Sequence, residues 1–334
     1  MKINNIELAH GLMLCPMAGV SDRAFRLICA RHGAEYAVTE MVSAKALVYE
    51  QRGRAGTPIR TAPLCRVDEG IPTAVQLFGA EPEFMREAAR LVSCGGYRGF
   101  EGNIPAAIDI NMGCPVRKVT QNGEGSALMR DPGLAAAVTA AAVEGAGGRI
   151  PVTVKIRAGW DGEHINAPDV ARAVAREGAA AVCVHARTRE QLYQPGIDLA
   201  VIAAVKSAVT VPVFGNGDVV SPGSALEMIS ATGCDGIGIA RGAIGDPWLF
   251  GRIAAALDGR EFCEPDENER LATAIEHARL TVQFKGERRG IAEAKPQIAR
   301  YIRGVPGAVR LRDEIIRATT LSEVEDVIMS LVTV

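Results

Sequence analysis

Ile108-Asp109-Ile110-Asn111-Met112-Gly113-Cys114-Pro115 is an alternating apolar run that ends abruptly in an amide, a glycine, a thiol and a proline. Successive side chains of a strand face opposite sides, so Ile108 and Ile110 can pack on one layer while Asp109 and Asn111 face the other. Gly113 permits a tight exit and Pro115 forbids continuation of strand or helix, which leaves Cys114 in a loop at a strand end. A free cysteine taken alone is most simply a small buried hydrophobe. The stretch gains meaning because other apolar runs in the chain end the same way, with a polar residue followed by glycine or proline.

On either side of it, further strand-like runs lie at 12–17, 36–40, 73–78, 152–157, 181–185, 211–216 and 236–240. Helical patterns separate them at 21–31, 82–92, 134–146, 168–178, 199–205 and 221–230. Ser21-Asp22 supplies a cap for the first helix, and Pro82 opens another at the position where a missing N–H costs nothing. Eight continuously apolar strands, each followed by a helix or an insertion, predict a parallel sheet covered on all sides. Eight such units close into an α/β fold of the TIM (β/α)8 barrel type. An open doubly wound sheet would carry its phosphate turn after the first strand, where only Pro16-Met17-Ala18-Gly19 stands. The Arg- and Gly-rich segment 51–63 reads as a long surface excursion.

Past Pro247 the repeat stops and helices are expected at 271–284, 293–303, 308–318 and 322–332, with Val305-Pro306-Gly307 as a joint. The chain therefore divides into a barrel, residues 1–250, and a C-terminal all-helical domain, residues 251–334. No low-complexity linker precedes that domain, so it should pack on the barrel.

Of the 334 residues 48% are hydrophobic but only 4% aromatic, so Ala, Val, Ile and Leu must build the core. The net charge of -2 gives no global argument for nucleic acid, and any such partner must be argued from a local patch. One exists: residues 285–317 hold nine Lys or Arg against four acids, with Arg300, Arg303 and Arg310 as the expected phosphate contacts. Eight cysteines are scattered singly, as expected of reduced thiols in the cytoplasm. The apolar segment 134–146 is interrupted by Thr139 and Glu144, no run reaches bilayer length, and no membrane span is expected. There is no H-x-x-H or C-x-x-C spacing, so no metal is expected, and no G-x-S-x-G elbow.

In a (β/α)8 barrel the active site lies at the C-terminal ends of the strands. Those ends carry Pro16-Met17-Ala18, Glu40, Gln76, Asn111 with Cys114, Lys155 with Arg157, His185 with Arg187, Asn216-Gly217-Asp218 and Ala240-Arg241-Gly242. The loops after strands seven and eight are the usual phosphate site of this barrel. Each of the two, Gly215-Asn216-Gly217-Asp218 and Ala240-Arg241-Gly242, could be simple turn chemistry; together they favour a phosphorylated ligand. Lys155 in a buried strand either faces an anion, snorkels from the barrel end, or pairs with Glu40 or Asp109.

The motifs Cys15-Pro16-Met17-Ala18-Gly19, Val75-Gln76-Leu77-Phe78-Gly79, Asp109-Ile110-Asn111-Met112-Gly113-Cys114-Pro115, Gly125-Ser126-Ala127-Leu128-Met129, Val154-Lys155-Ile156-Arg157, His185-Ala186-Arg187-Thr188 and Gly215-Asn216-Gly217-Asp218 resemble those of the tRNA-dihydrouridine synthases. The resemblance implies an FMN-binding barrel that reduces a uridine of tRNA at the expense of NADPH, with a helical domain that grips the tRNA. It further implies FMN contacts by Pro16, Met17, Ala18, Gln76, Lys155, His185, Asn216, Gly217, Asp218, Ala240 and Arg241, and a proton-donating Cys114. Asn111, Arg157 and Arg187 would line the uracil side. Glu293-Ala294-Lys295-Pro296 departs from the Arg-Lys-His run expected before Tyr301. A barrel flavoenzyme acting on a free pyrimidine, or an RNA-binding module with a structural flavin, are the rival readings.

Overall fold

The computed structural model describes residues 1–53, 58–67, 70–304 and 307–331. Eight parallel strands form the barrel: β1 Leu12–Leu14, β2 Tyr36–Val38, β3 Thr73–Phe78, β4 Ala107–Met112, β5 Val152–Arg157, β6 Ala181–His185, β7 Val213–Asn216 and β8 Gly236–Ile239. Pairing runs in chain order around the ring, and β8 returns to β1 with Ile239 opposite Leu14. The (β/α)8 barrel read from the sequence is the fold.

The period of two is visible in how each strand divides its side chains. Leu12, Leu14, Ala37, Val182, Val184 and Val213 point outward into the core shared with the helices. Met13, Tyr36, Val38, Cys183 and Phe214 point inward and fill the barrel. A small N-terminal hairpin, Lys2–Ile3 with Ile6–Glu7, adds Ile3, Ile6 and Leu8 to that inner cluster.

Strand ends are shorter than expected where proline intervenes. β1 stops at Leu14 rather than 17, because Pro16 has no N–H to donate to a ladder, and β7 starts at Val213, after Pro212. Three helices lie outside the expected set, one of them the single turn Arg117–Thr120 after β4. Ala44–Arg52 leads from β2 into the expected excursion at 51–63 and is capped by Ser43, which accepts from the Ala46 amide; residues 54–57 of that excursion lie outside the described residues. Leu249–Leu257 spans the expected 250/251 division, and its Leu249, Phe250 and Ile253 belong to the barrel core.

The C-terminal helices are Glu267–Lys285, Glu287–Ile298, Ala308–Arg317 and Leu321–Met329, around their own core of Leu271, Ala278, Ile291, Ile298, Tyr301 and Ile315. Of the expected joint, Val305 and Pro306 lie outside the described residues, as does Val332. The second helix starts six residues earlier than expected and ends at Ile298, so Arg300 and Arg303 belong to the turn that follows and not to a helix face.

This domain docks at the β8/β1 seam. Lys285 reaches Asp22, the cap of helix Arg23–Arg31, and also Glu293. Arg23 lies over the Phe284 ring. The Arg300 backbone sits directly on Gly245, where an added Cβ would lie 2.6 Å from the Arg300 carbonyl carbon and φ is already +73°. Only glycine admits that approach.

Candidate active site

Strand register carries the chemistry to one end of the barrel. Asn111 lies opposite Lys155, Arg157 opposite His185, and His185 opposite Asn216. All lie among the last three residues of their strands, so their side chains meet in one cavity of about 800 Å3, a size suited to a cofactor together with part of a substrate. Each of the fifteen residues singled out from the sequence, from Pro16 to Arg241, lines it. Glu40 does not; its carboxylate accepts from the Gly19 amide.

A hydrogen-bonded line positions the thiol. Thr153 Oγ1 donates to Asp109 (2.7 Å), Gln76 Nε2 donates to the other Asp109 oxygen (2.7 Å), and Asn111 Nδ2 donates to Gln76 (2.9 Å). The Asn111 carbonyl oxygen then accepts from the amides of Gly113 (3.1 Å) and Cys114 (2.8 Å). The loop after β4 is thus tied to three strands, and a buried amide with all these bonds made cannot rotate without leaving several groups unsatisfied.

Cys114 itself is half-buried. Burial pushes its thiol above the ordinary value, outweighing the Val116 amide and the Arg157 guanidinium, so it holds its proton at neutral pH. Gly125 packs against it: an added Cβ there would lie 2.9 Å from the Cys114 carbonyl oxygen. The Ser126 amide donates to that same oxygen.

Lys155 and Arg157 are held by neutral oxygens. Lys155 Nζ donates to Asn216 Oδ1 at 3.0 Å and pairs with no carboxylate among the described residues, since Asp109 is already committed to Thr153 and Gln76 and Glu40 lies elsewhere. Arg157 donates to the carbonyls of Gly113, Thr188 and Leu192. Arg187, 1% exposed, reaches Asp218, the Gln194 carbonyl and the His185 ring, and so braces the wall. Burial first, then Lys155, Arg157, Arg187 and Arg241, depress the His185 imidazole far below its ordinary pKa and keep it neutral.

Six cations line the cavity against two carboxylates, Asp218 and Asp246. Asp218 is taken by Arg187, with Arg241 at 3.7 Å, and Asp246 by Arg252. The excess positive charge faces the loop after β7, where Asp218 holds a left-handed φ of +50°. Such a donor set fits a phosphate-bearing group, with the β7 and β8 loops at its anionic end.

Met41, Tyr193, Arg300 and Arg303 also line the cavity and lie outside the set read from the sequence. Tyr193 stands 56% exposed at the mouth, its ring 4.9 Å from the Arg241 guanidinium and 5.9 Å from that of Arg157. A signal for it exists, since a chain with five tyrosines places one shortly after a strand end. Arg300 and Arg303 arrive from the helical domain; the basic composition of 285–317 marks them as cations for tRNA, but not as lining of this cavity. No group of His, Cys, Asp and Glu suited to a metal occurs among the described residues, and no described helix is long and apolar enough to cross a membrane.

The basic segment 285–317 is less available than its composition suggests. Lys285, Arg289, Arg310 and Arg317 each face a carboxylate of the same domain, while Lys295 and Arg312 donate to backbone carbonyls.

A family model described as "Dihydrouridine synthase (Dus)" matches residues 13–332. A probable tRNA-dihydrouridine synthase of Rickettsia bellii is 38% identical over 317 residues, covering 94% of this chain and 92% of its own. The tRNA-dihydrouridine synthase B of Xanthomonas axonopodis pv. citri is 37% identical over 321 residues, covering 96% and 92%. Among solved structures, the 6-hydroxypseudooxynicotine amine oxidase of Pseudomonas geniculata N1 shares the fold with a TM-score of 0.54 at 16% identity, over 85% of this chain and 51% of its own. Histamine dehydrogenase from a Rhizobium species does so with a TM-score of 0.52 at 14% identity, over 86% and 48%.

Proposed function

Because the chain belongs to the dihydrouridine synthase family, we propose that it is an FMN-dependent, cytoplasmic enzyme that reduces a uridine of tRNA to 5,6-dihydrouridine with NADPH as reductant. The observation that carries the reading is that a protonated thiol, Cys114, shares one cation-lined cavity with Lys155 and the loops after β7 and β8.

When bound, FMN supplies the hydride that adds to one carbon of the uracil 5,6 double bond. The chain's own residues do the rest. Backbone groups of Asn216, Gly217, Asp218 and Ala240 and the Arg241 guanidinium would hold the phosphate, the Asp218 carboxylate itself bracing Arg187 and Arg241, with His185 neutral beside them. Pro16, Met17 and Ala18 would cover the ring system, Gln76 would meet its polar edge, and Lys155 would supply a cation beside it. Asn111 and Arg157 orient the base. The Cys114 Sγ–H gives its proton to the neighbouring carbon, so hydride and proton together saturate the bond. A thiol used as an acid gains from a raised pKa, the reverse of a nucleophilic cysteine.

The helical region beyond Leu257 carries the tRNA contacts, and Arg300 and Arg303 bring them to the cavity rim. A rim of guanidiniums suits a polyanion better than a free pyrimidine, which disfavours the rival enzyme reading. The test is direct: the purified protein is yellow, oxidises NADPH slowly alone and faster with unmodified tRNA, and a deletion strain lacks dihydrouridine at particular tRNA positions. A folded preparation that stays colourless and takes up no added FMN overturns the proposal.

A further inference from the structure

Arg187 lies two residues past His185, the last residue of β6. The family resemblance puts it on the uracil side, but the folded chain commits it elsewhere. It is 1% exposed, and each of its three guanidinium nitrogens already has an acceptor. Nε donates to the Gln194 carbonyl at 2.7 Å, Nη2 to Asp218 at 2.5 Å and Nη1 to His185 Nε2 at 3.3 Å. Gln194 belongs to the loop after β6 and Asp218 to the loop after β7, so one guanidinium ties both loops around the imidazole. Asp218 holds its left-handed φ of +50° at that contact, and such a conformation persists only where its surroundings fix it.

The contact with the ring carries the chemistry. A guanidinium has donors only, so the His185 nitrogen that faces it must keep its lone pair. Burial and the surrounding cations hold the ring neutral, and a neutral imidazole carries a single proton, which is then on Nδ1. Packing agrees with that ring orientation. Cδ2 is the His185 atom nearest Gly217, 3.4 Å from where an added Cβ would lie, which leaves the Nδ1 side of the ring open. No described residue takes up Nδ1, and the ring lines the cavity. A neutral imidazole without such a neighbour exchanges its tautomers and offers a ligand either a donor or a lone pair; the guanidinium removes that choice.

We propose that Arg187 is a positioning residue, which fixes His185 as the Nδ1–H tautomer so that this N–H donates to an acceptor atom of the bound flavin cofactor. The same side chain holds the loops after β6 and β7 around that contact. The proposal rests on the reading of the protein as an FMN enzyme, and it takes Arg187 away from the uracil side.

The test is nitrogen NMR of protein labelled at histidine nitrogens, with His185 picked out among the five histidines by the signals that vanish in His185→Gln. At neutral pH the wild type should show a protonated Nδ1 and an unprotonated Nε2, with FMN and without it. Arg187→Met should move proton density to Nε2 and weaken FMN binding about 10- to 100-fold, as the loss of a hydrogen bond to a charged group does. Arg187→Lys keeps the charge but cannot reach three acceptors at once, and should show the same changes at smaller size. If Arg187→Met does not fold, the wild-type spectrum and Arg187→Lys decide. A wild-type His185 with its proton on Nε2, or doubly protonated, overturns the proposal, as does an unchanged tautomer or an unchanged FMN affinity in Arg187→Met. A variant that keeps both but raises the KM for tRNA returns Arg187 to the uracil side. A wild type that takes up no FMN overturns the enzyme reading itself, whereas one that binds FMN with the other tautomer overturns only the role of Arg187.

Discussion

In the barrel cavity, Lys155 and Arg157 are held by an amide oxygen and by carbonyls; on the helical domain, Lys285, Arg289, Arg310 and Arg317 are held by carboxylates. Neutral acceptors fix a cation's position without cancelling its field, whereas a carboxylate does both. Density of Lys and Arg along a chain is therefore a poor guide to where an anion binds, and the partners of each cation are a better one. Variants on the two sides put this difference to the test.

The largest effect is expected inside the cavity. Cys114→Ala should retain FMN and its reduction by NADPH but lose about 100- to 10,000-fold in tRNA reduction, the usual range for a positioned acid. Rapid mixing of pre-reduced enzyme with tRNA measures that step alone. Because burial raises the thiol pKa, the wild-type rate should stay flat through neutral pH and fall only above the ordinary thiol range of about 8.5. A wild-type rate in the variant would return Cys114 to a structural role.

Next comes the one cation among these four of the helical domain that is buried with its acids. Lys285 is 13% exposed and Asp22 2%, so Lys285→Met strands a buried carboxylate at the seam and should lower stability by about 3–5 kcal/mol. Denaturant unfolding would measure it. A change of less than about 1 kcal/mol would mean that this pair behaves like the surface ones.

A smaller, pH-dependent effect belongs to His277, which is stacked on Phe25 and within 3.3 Å of the Tyr301 hydroxyl where the two domains meet. Burial depresses its pKa to about 4. A depressed folded pKa means that its contribution is present above the unfolded value of about 6.5 and is lost as pH falls from there toward 4. Thermal stability should decline across that window in the wild type and decline less in His277→Phe; parallel curves would remove the histidine from the acid response.

The smallest effect is expected from Arg310, 78% exposed and 3.7 Å from Glu314 one turn along its helix. Arg310→Gln should change stability by less than about 0.5 kcal/mol and leave the salt slope of tRNA binding unaltered. Arg300→Gln/Arg303→Gln should flatten that slope by roughly one to two units, as the removal of two cation–phosphate pairs would. Equal slopes for the two variants would show that carboxylate pairing does not silence a surface cation.

Local chemistry makes the strands legible. β3, β5 and β6 have the limits expected from their apolar runs, and the shifted end of β1 and start of β7 follow from Pro16 and Pro212. The helix Ala44–Arg52 is hidden because its apolar stripe, Ala44, Leu47 and Val48, spans little more than one turn, and Leu249–Leu257 because it follows the last strand, where the repeat ends. Tyr193 stands outside the strand-end set, although an isolated aromatic so close to a strand end could have flagged it.

The order of strands and helices, and with it the identity of the residues at strand ends, follows from the chain's own pattern of apolar runs, prolines and glycines. Once eight parallel strands close a ring, register alone brings Asn111, Lys155, His185 and Asn216 together. The distribution of charge does not follow from that pattern. It took the folded molecule to pair Asp109 with Gln76 rather than Lys155, to brace Arg187 on Asp218, and to carry Arg300 and Arg303 to the cavity across a glycine contact. Side-chain pairing depends on distances of a few ångströms between residues far apart in the chain, and no local pattern encodes those distances.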